Sequence, residues 1–155
     1  MVVQKRSPNG GLKGLISRLN TLTSVAVYVG IPQETSQRGK INNAELLYIH
    51  THGSPMRNIP ARPVIEPALA HYKDKVMTQY SAALRAAAEG NQQALNTALI
   101  RTGLAGQNAV RDWFVNPANG WSENSRVTIA RKRSNRPLID TGTLRKSIIY
   151  VVRET

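Results

Sequence analysis

Residues 62–114 read RPVIEPALAHYKDKVMTQYSAALRAAAEGNQQALNTALIRTGLAGQNAVRDWF, and this stretch decides the fold. Ile65, Ala68, Leu69, Tyr72, Val76, Tyr80, Ala83, Leu84 and Ala87 recur on one stripe at helical spacing. Pro63 suits a helix start and Gly90 a helix stop, so the spacing predicts one long helix, a rod of about 35 to 40 Å. After the turn at Glu89-Gly90-Asn91 a second helix carries Leu95, Ala98, Leu99, Thr102, Gly106, Val110, Trp113 and Phe114 on its apolar side. Gly103 and Gly106 weaken that helix but let a neighbour approach closely. Two long helices folded back as a hairpin are the expected centre of the molecule.

Outward from the hairpin the pattern changes period. Leu12, Leu15, Ile16, Leu19 and Leu22 predict a short amphipathic helix, and Val25, Val27, Val29 and Ile31 alternate as a strand that Pro32 ends. Asn42 or Asn43 is placed to cap a helix through Ala44, Leu46, Leu47 and Ile49 that stops near Gly53-Ser54-Pro55. Beyond Asn116-Pro117 the chain is loop-rich, with one short helix expected around Val127 to Lys132. A last strand, Ser147 to Arg153, has apolar residues on both faces, as for a strand buried on both sides, and is a pairing partner for the first. The expectation is one α+β domain over residues 1–155: a small mixed or antiparallel sheet packed against the two-helix hairpin. Residues 1–11 form a flexible lead, and residues 32–41 and 116–137 are extended interaction loops.

Composition narrows the classes of function. The 155 residues hold 21 Lys and Arg against 9 Asp and Glu, a net charge of +12, which favours an anionic partner, whether nucleic acid or an acidic protein surface. Aromatic residues make up only 5%, so the core is built from Ala, Val, Leu and Ile. The absence of cysteine excludes disulfides, thiolate metal sites and a cysteine nucleophile, and fits folding in a reducing cytoplasm. No apolar run reaches the ~20 residues of a membrane span, and the first residues lack the apolar core of a signal peptide, so the expected product is soluble and intracellular.

Candidate chemistry is thin. His50-Thr51-His52 could begin a metal site, yet no third ligand stands at a recognisable spacing, and loop histidines are the better reading. His71, beside Tyr72, reads as a surface or packing residue. No G-x-S-x-G elbow, Walker loop or Ser-His-Asp arrangement is present, so no enzyme, no cofactor and no metal are expected. Arg126, Arg131, Lys132, Arg133 and Arg136 form the densest basic run and have no acid among them. They suit DNA phosphates or an acidic neighbour, and with Gln37, Arg38 and Lys40 of the polar loop they are the candidate subunit or partner interface. Specific nucleic-acid motifs are missing, and only Trp121 lies near enough in sequence to stack on a base.

A run of motifs completes the picture. Residues 136–148 read RPLIDTGTLRKSI, and in the same order upstream stand Tyr28-Val29-Gly30-Ile31-Pro32, residues 43–54 (NAELLYIHTHGS), residues 58–65 (NIPARPVI) and Ile129-Ala130-Arg131-Lys132. Read from the residues, Pro60-Ala61-Arg62-Pro63 is a stiff entry that fixes the direction of the long helix. Asp140-Thr141-Gly142 reads as a capped turn, the Asp140 carboxylate or Thr141 hydroxyl accepting amide hydrogens, with room supplied by Gly142. The ensemble resembles the small neck proteins of tailed bacteriophages, the head-tail connector, tail-completion or virion-morphogenesis family. Two departures are the His50-Thr51-His52 segment, where relatives commonly carry an acid before the glycine, and Val64, where an aromatic is usual.

The resemblance implies a structural virion protein in the neck, assembled in the host cytoplasm, that works by geometry and buried area. Its implied partners are copies of itself in a closed ring, six-fold or else a dodecamer, the adjacent head-side stopper, and the tail terminator or tail tube. Non-specific contact with packaged DNA and no membrane are part of the same expectation. The alternative from the residues is a DNA-binding protein that uses the basic loop 126–136.

Overall fold

The computed structural model describes residues 10–33, 40–132 and 134–155. Gln37, Arg38, Arg133 and most of the predicted N-terminal lead lie outside the described residues. The elements run α1 (Gly11–Asn20), β1 (Val25–Gly30), α2 (Asn43–His52), α3 (Ile65–His71), α4 (Lys73–Glu89), α5 (Gln92–Trp113), α6 (Arg126–Arg131), α7 (Thr143–Lys146) and β2 (Ile149–Glu154). The architecture is α+β: an antiparallel sheet of two strands lies against the hairpin of α4 and α5.

The hairpin turns where the sequence punctuates it. Gly90 closes α4 at φ 72°, a left-handed conformation that glycine adopts without strain, and the Asn91 side chain accepts the Ala94 amide at the start of α5. Small residues then let the helices close at this end. Ala83, Ala86, Ala87, Leu95, Ala98 and Leu99 form one buried cluster, against which Leu19, Leu22, Val25, Val27 and Val152 pack. A second, bulkier cluster lies toward the other end of α5, where Val64, Ala68, Val110, Trp113 and Phe114 meet Leu47, Leu144 and Ile148. Both clusters use the same face of α5, so this helix is the spine of the molecule.

The sheet rests on α5 because two glycines leave space for it. A Cβ on Gly103 would overlap the ring of Tyr150, and one on Gly106 would come within 2.9 Å of Val29 Cγ2. The strands pair from Val25↔Glu154 to Gly30↔Ile149, so Val25, Val27, Val29, Tyr150 and Val152 face the helix. Tyr28, Ile149 and Val151 face away from it.

Five sequence expectations are corrected. The single long helix is broken at Tyr72 (φ −98°, ψ 19°) into α3 and α4, where the Tyr72 hydroxyl accepts a hydrogen bond from Asn116 and His71 packs on Trp113. Leu84, counted on the apolar stripe, is 40% exposed, because α5 covers only the Ala83 and Ala87 side of α4. The last strand begins at Ile149, since Ser147 still closes α7 through its amide to Thr143 O (2.9 Å). It is also not buried on both faces: its residues are half-buried or exposed, because α5 lies on one side and no described element on the other. The loop at 116–137 contains a 3-10 turn at Pro117–Asn119 and α6, the latter one residue earlier than expected.

Candidate functional site

Four of the five motif segments that are scattered along the sequence meet around one cleft of about 540 Å³, and the fifth, Tyr28 to Pro32, lies elsewhere. Leu46 and His50 of α2 form one wall, Asn58 to Arg62 a second, Glu123 to Lys132 a third, and Leu138 to Leu144 the fourth. Each wall is held by identifiable local chemistry. Asn42, not Asn43, caps α2: its side chain accepts the Glu45 amide at 2.8 Å while Glu45 accepts the Asn42 amide at 3.0 Å. Asn43 is buried instead and donates to Ser147 Oγ at 2.9 Å, tying α2 to the end of α7. At the C-terminus of α2, Gly53 has φ 72°, and a Cβ there would stand 2.7 Å from the Ala61 amide nitrogen, so only glycine lets the linker fold back.

Arg62 is the organising residue of the cleft. It is 6% exposed, its amide donates to His50 O at 2.6 Å, and its Nη2 donates to Ser122 O at 2.9 Å and Glu123 O at 3.4 Å. The Trp121 indole donates to Pro63 O at 3.2 Å, a second tie between the same two segments. One guanidinium therefore pins the entry of α3 to the loop after α5, with carbonyl oxygens rather than a carboxylate as acceptors. Burial lowers its affinity for the proton from the ordinary arginine value, as expected where water is removed from a cation. Pro60 and Pro63 are exposed and act through backbone stiffness.

The basic run divides. Arg126, Arg131 and Arg136 are exposed, whereas Lys132 is half-buried, lines the cleft and donates from Nζ to Arg136 O at 3.0 Å. Desolvation pushes the Lys132 ammonium below its usual range, the Asp140 carboxylate works against that shift, and the Arg62 charge adds to it. Lys40 is exposed on a different patch, beside Ile41 and Tyr48. The structure thus brings Arg62, Lys132, Asp140, Thr141 and Gly142 to one place and leaves Lys40 apart.

The turn at Asp140-Thr141-Gly142 departs from its sequence reading. No side chain caps α7; Gly142 is the capping residue at φ 79°, its carbonyl accepts the Lys146 amide at 3.0 Å, and the Thr141 and Thr143 hydroxyls bond each other at 2.7 Å. The Asp140 carboxylate lies close enough to Lys132 to favour its charged form. Just before it, Leu138 holds φ 58°, a conformation that costs a bulky residue about 1 to 3 kcal/mol and is held here by packing in the second core cluster. After it, α7 is locked to the spine: Arg145 Nε donates to Arg111 O at 2.7 Å, and Arg111 donates back to Lys146 O at 3.0 Å and to Ile148 O at 2.8 Å. Arg111 went unnoticed in the sequence, although it follows directly on the buried Val110 and so stands at the border of the stripe that faces the sheet.

The histidines serve packing. Burial, then the charges of Arg62 and Lys132, push the His50 imidazole below its usual range, so it is neutral at pH 7. Two positions along the same helix, His52 points elsewhere and stacks on Tyr48 at 4.2 Å. Among the described residues no group of three His, Cys, Asp or Glu is placed to hold a metal ion, and no described helix is long and apolar enough to cross a membrane.

The cleft therefore offers a positively charged floor, a rim with Glu123 and Asp140, and apolar walls from Leu46, Leu138 and Leu144. The buried Arg62 cation is committed to backbone carbonyls. Compared with protein-family models, with curated proteins and with solved structures, the chain finds no match.

Proposed function

We propose that this chain is a structural virion protein of a tailed bacteriophage, forming a ring in the neck that joins head to tail. The observation that carries the reading is the convergence of the motif segments. Residues 43–54, 58–65, 129–132 and 136–148, which are far apart in sequence, pack around one cleft pinned by Arg62. Motifs that acted independently would have no reason to share one pocket. The reading needs no catalysis: the chain acts through shape, with heterologous contacts between copies closing a circle. Its neighbours are the head-side stopper on one side and the tail terminator or tube on the other, and the virion neck is its location.

A second reading, DNA binding through the basic loop, is favoured by the exposure of Arg126, Arg131 and Arg136. Native mass measurement together with imaging of particle necks tests the first. Cyclic oligomers that occupy the neck are expected, and a protein that stays monomeric and is absent from particles would refute it. A salt titration of duplex DNA binding separates the second. A slope on the order of −0.9 per neutralised phosphate that disappears on changing Arg126, Arg131 and Arg136 to Ala would favour DNA as the partner.

A further inference from the structure

The two edges of the sheet are not alike. On the β2 side α5 takes up one outward group, the Tyr150 amide, which donates to Gln107 Oε1 at 3.2 Å, and just before the strand Ile148 O accepts two bonds from Arg111, at 3.1 and 2.8 Å. On the β1 side α5 takes up neither Val27 nor Val29. The Thr155 amide donates to Ser24 O at 2.8 Å, which sets the alternation of the ladder and makes Ala26, Tyr28 and Gly30 the hydrogen-bonded positions. Val27 and Val29 therefore turn their N–H and C=O groups away from β2, and among the described residues no hydrogen bond reaches them.

This edge has none of the features that keep an open strand from pairing. VAVYVG contains no lysine, no other charge and no proline, and its register with β2 runs without a bulge. Residues 19–33 are also the longest stretch of the chain without Asp, Glu, Lys or Arg. Beside the edge, Tyr28 is 54% exposed on the outer face, next to a cavity of about 540 Å³ lined by Ile31, Ile149 and Val151.

We propose that β1 pairs antiparallel with β1 of a second copy about a two-fold axis, giving a four-stranded sheet in the order β2-β1-β1-β2. Three observations select a second copy. A two-fold axis near Val27 makes the edge its own complement, with Ala26 facing Tyr28 of the partner copy and the Val25 and Val29 positions facing each other. Two chains of charge +12 can approach here because this segment brings no like charges together. Pairing also carries a two-stranded sheet, marginal alone, past the three strands that make a sheet independently stable. An isologous contact closes on itself and cannot generate a ring, so the pairing is independent of the neck reading. It joins two copies, or two rings face to face.

Amide hydrogen exchange and mass measurement over a dilution series test it. In the intact chain the Val27 and Val29 amides should be protected at high concentration and lose protection on dilution, in step with a halving of the mass. Tyr28→Lys, which places charge on the outer face beside the seam, should raise the dissociation constant by about tenfold or more with the circular dichroism unchanged. Ala26→Lys serves the same purpose if the first variant does not fold. Exchange at the solvent rate at every concentration would overturn the proposal, as would protection that ignores dilution, because the chain would then cover its own edge. Lysine variants that dissociate like the parent chain would overturn it as well.

Discussion

Gly103→Ala isolates the contact that seats the sheet on α5. In an exposed helix interior the change would stabilise by about 1 kcal/mol through helix propensity. Here the new Cβ would overlap the Tyr150 ring, standing 2.6 Å from Cγ and 2.9 Å from Cε2. Tyr150 has little freedom to retreat, because its own amide is held by Gln107 and its strand is paired to β1. Overpacking of this kind costs about 1 to 3 kcal/mol, which exceeds or cancels the propensity gain. The net expectation is a loss of up to about 2 kcal/mol, or roughly 4 to 8 °C in melting temperature for a chain of this size. The sign should reverse when the ring is removed. In a Tyr150→Ala background, itself destabilised, Gly103→Ala should stabilise by about 1 kcal/mol, so a double-mutant cycle by thermal or urea unfolding gives a coupling energy clearly different from zero. A single variant about 1 kcal/mol more stable than the parent, or an effect equal in both backgrounds, would refute the seating of Tyr150 in the Gly103 gap.

Three further outcomes follow from the same contacts. Ile148→Ala, at a site with 0% exposure, should cost about 2 to 5 kcal/mol, whereas Val151→Ala on the outer face of β2 should cost well under that in a chain kept monomeric; chemical denaturation compares them. Arg62→Lys keeps the charge but loses the Nη2 donor to Ser122 O and Glu123 O, so limited proteolysis should cut around residues 120–125 faster than in the parent. Because the His50 proton affinity is lowered in the folded state, the unfolded chain binds the proton first as pH falls below about 6.5. Stability should therefore drop between pH 7 and the depressed folded value, and His50→Gln should flatten that part of the curve; an unchanged curve would show that another group carries it.

The helices and their caps were readable in the sequence because their causes are local. Periodicity placed the buried face of α5, Gly90 and Asn91 placed the hairpin turn, and the Ser24 to Ile31 segment contains β1. Errors arose where the cause was distant. Nothing local breaks the chain at Tyr72, where the side chain answers Asn116, a residue 44 positions away. The turn at Asp140 offered two plausible capping groups, yet Gly142 takes the cap position of α7 with no side-chain bond, and Asp140 acts on Lys132 across the cleft.

The sequence by itself determined which segments are helix or strand, that two helices form a hairpin, and that the chain is strongly cationic, since each follows from spacing, punctuation or counting. Only the tertiary structure decided that Arg62 binds carbonyl oxygens 60 and 61 positions later, that Lys132 leaves the basic face for the cleft, and that Gln107 takes up the Tyr150 amide of β2 while Val27 and Val29 of β1 stay open. A strand's alternation says which face is apolar, but its edge partners are set by whatever else the fold brings alongside. At Tyr150 of β2 that is Gln107 of α5, and at Val27 and Val29 of β1 among the described residues it is nothing.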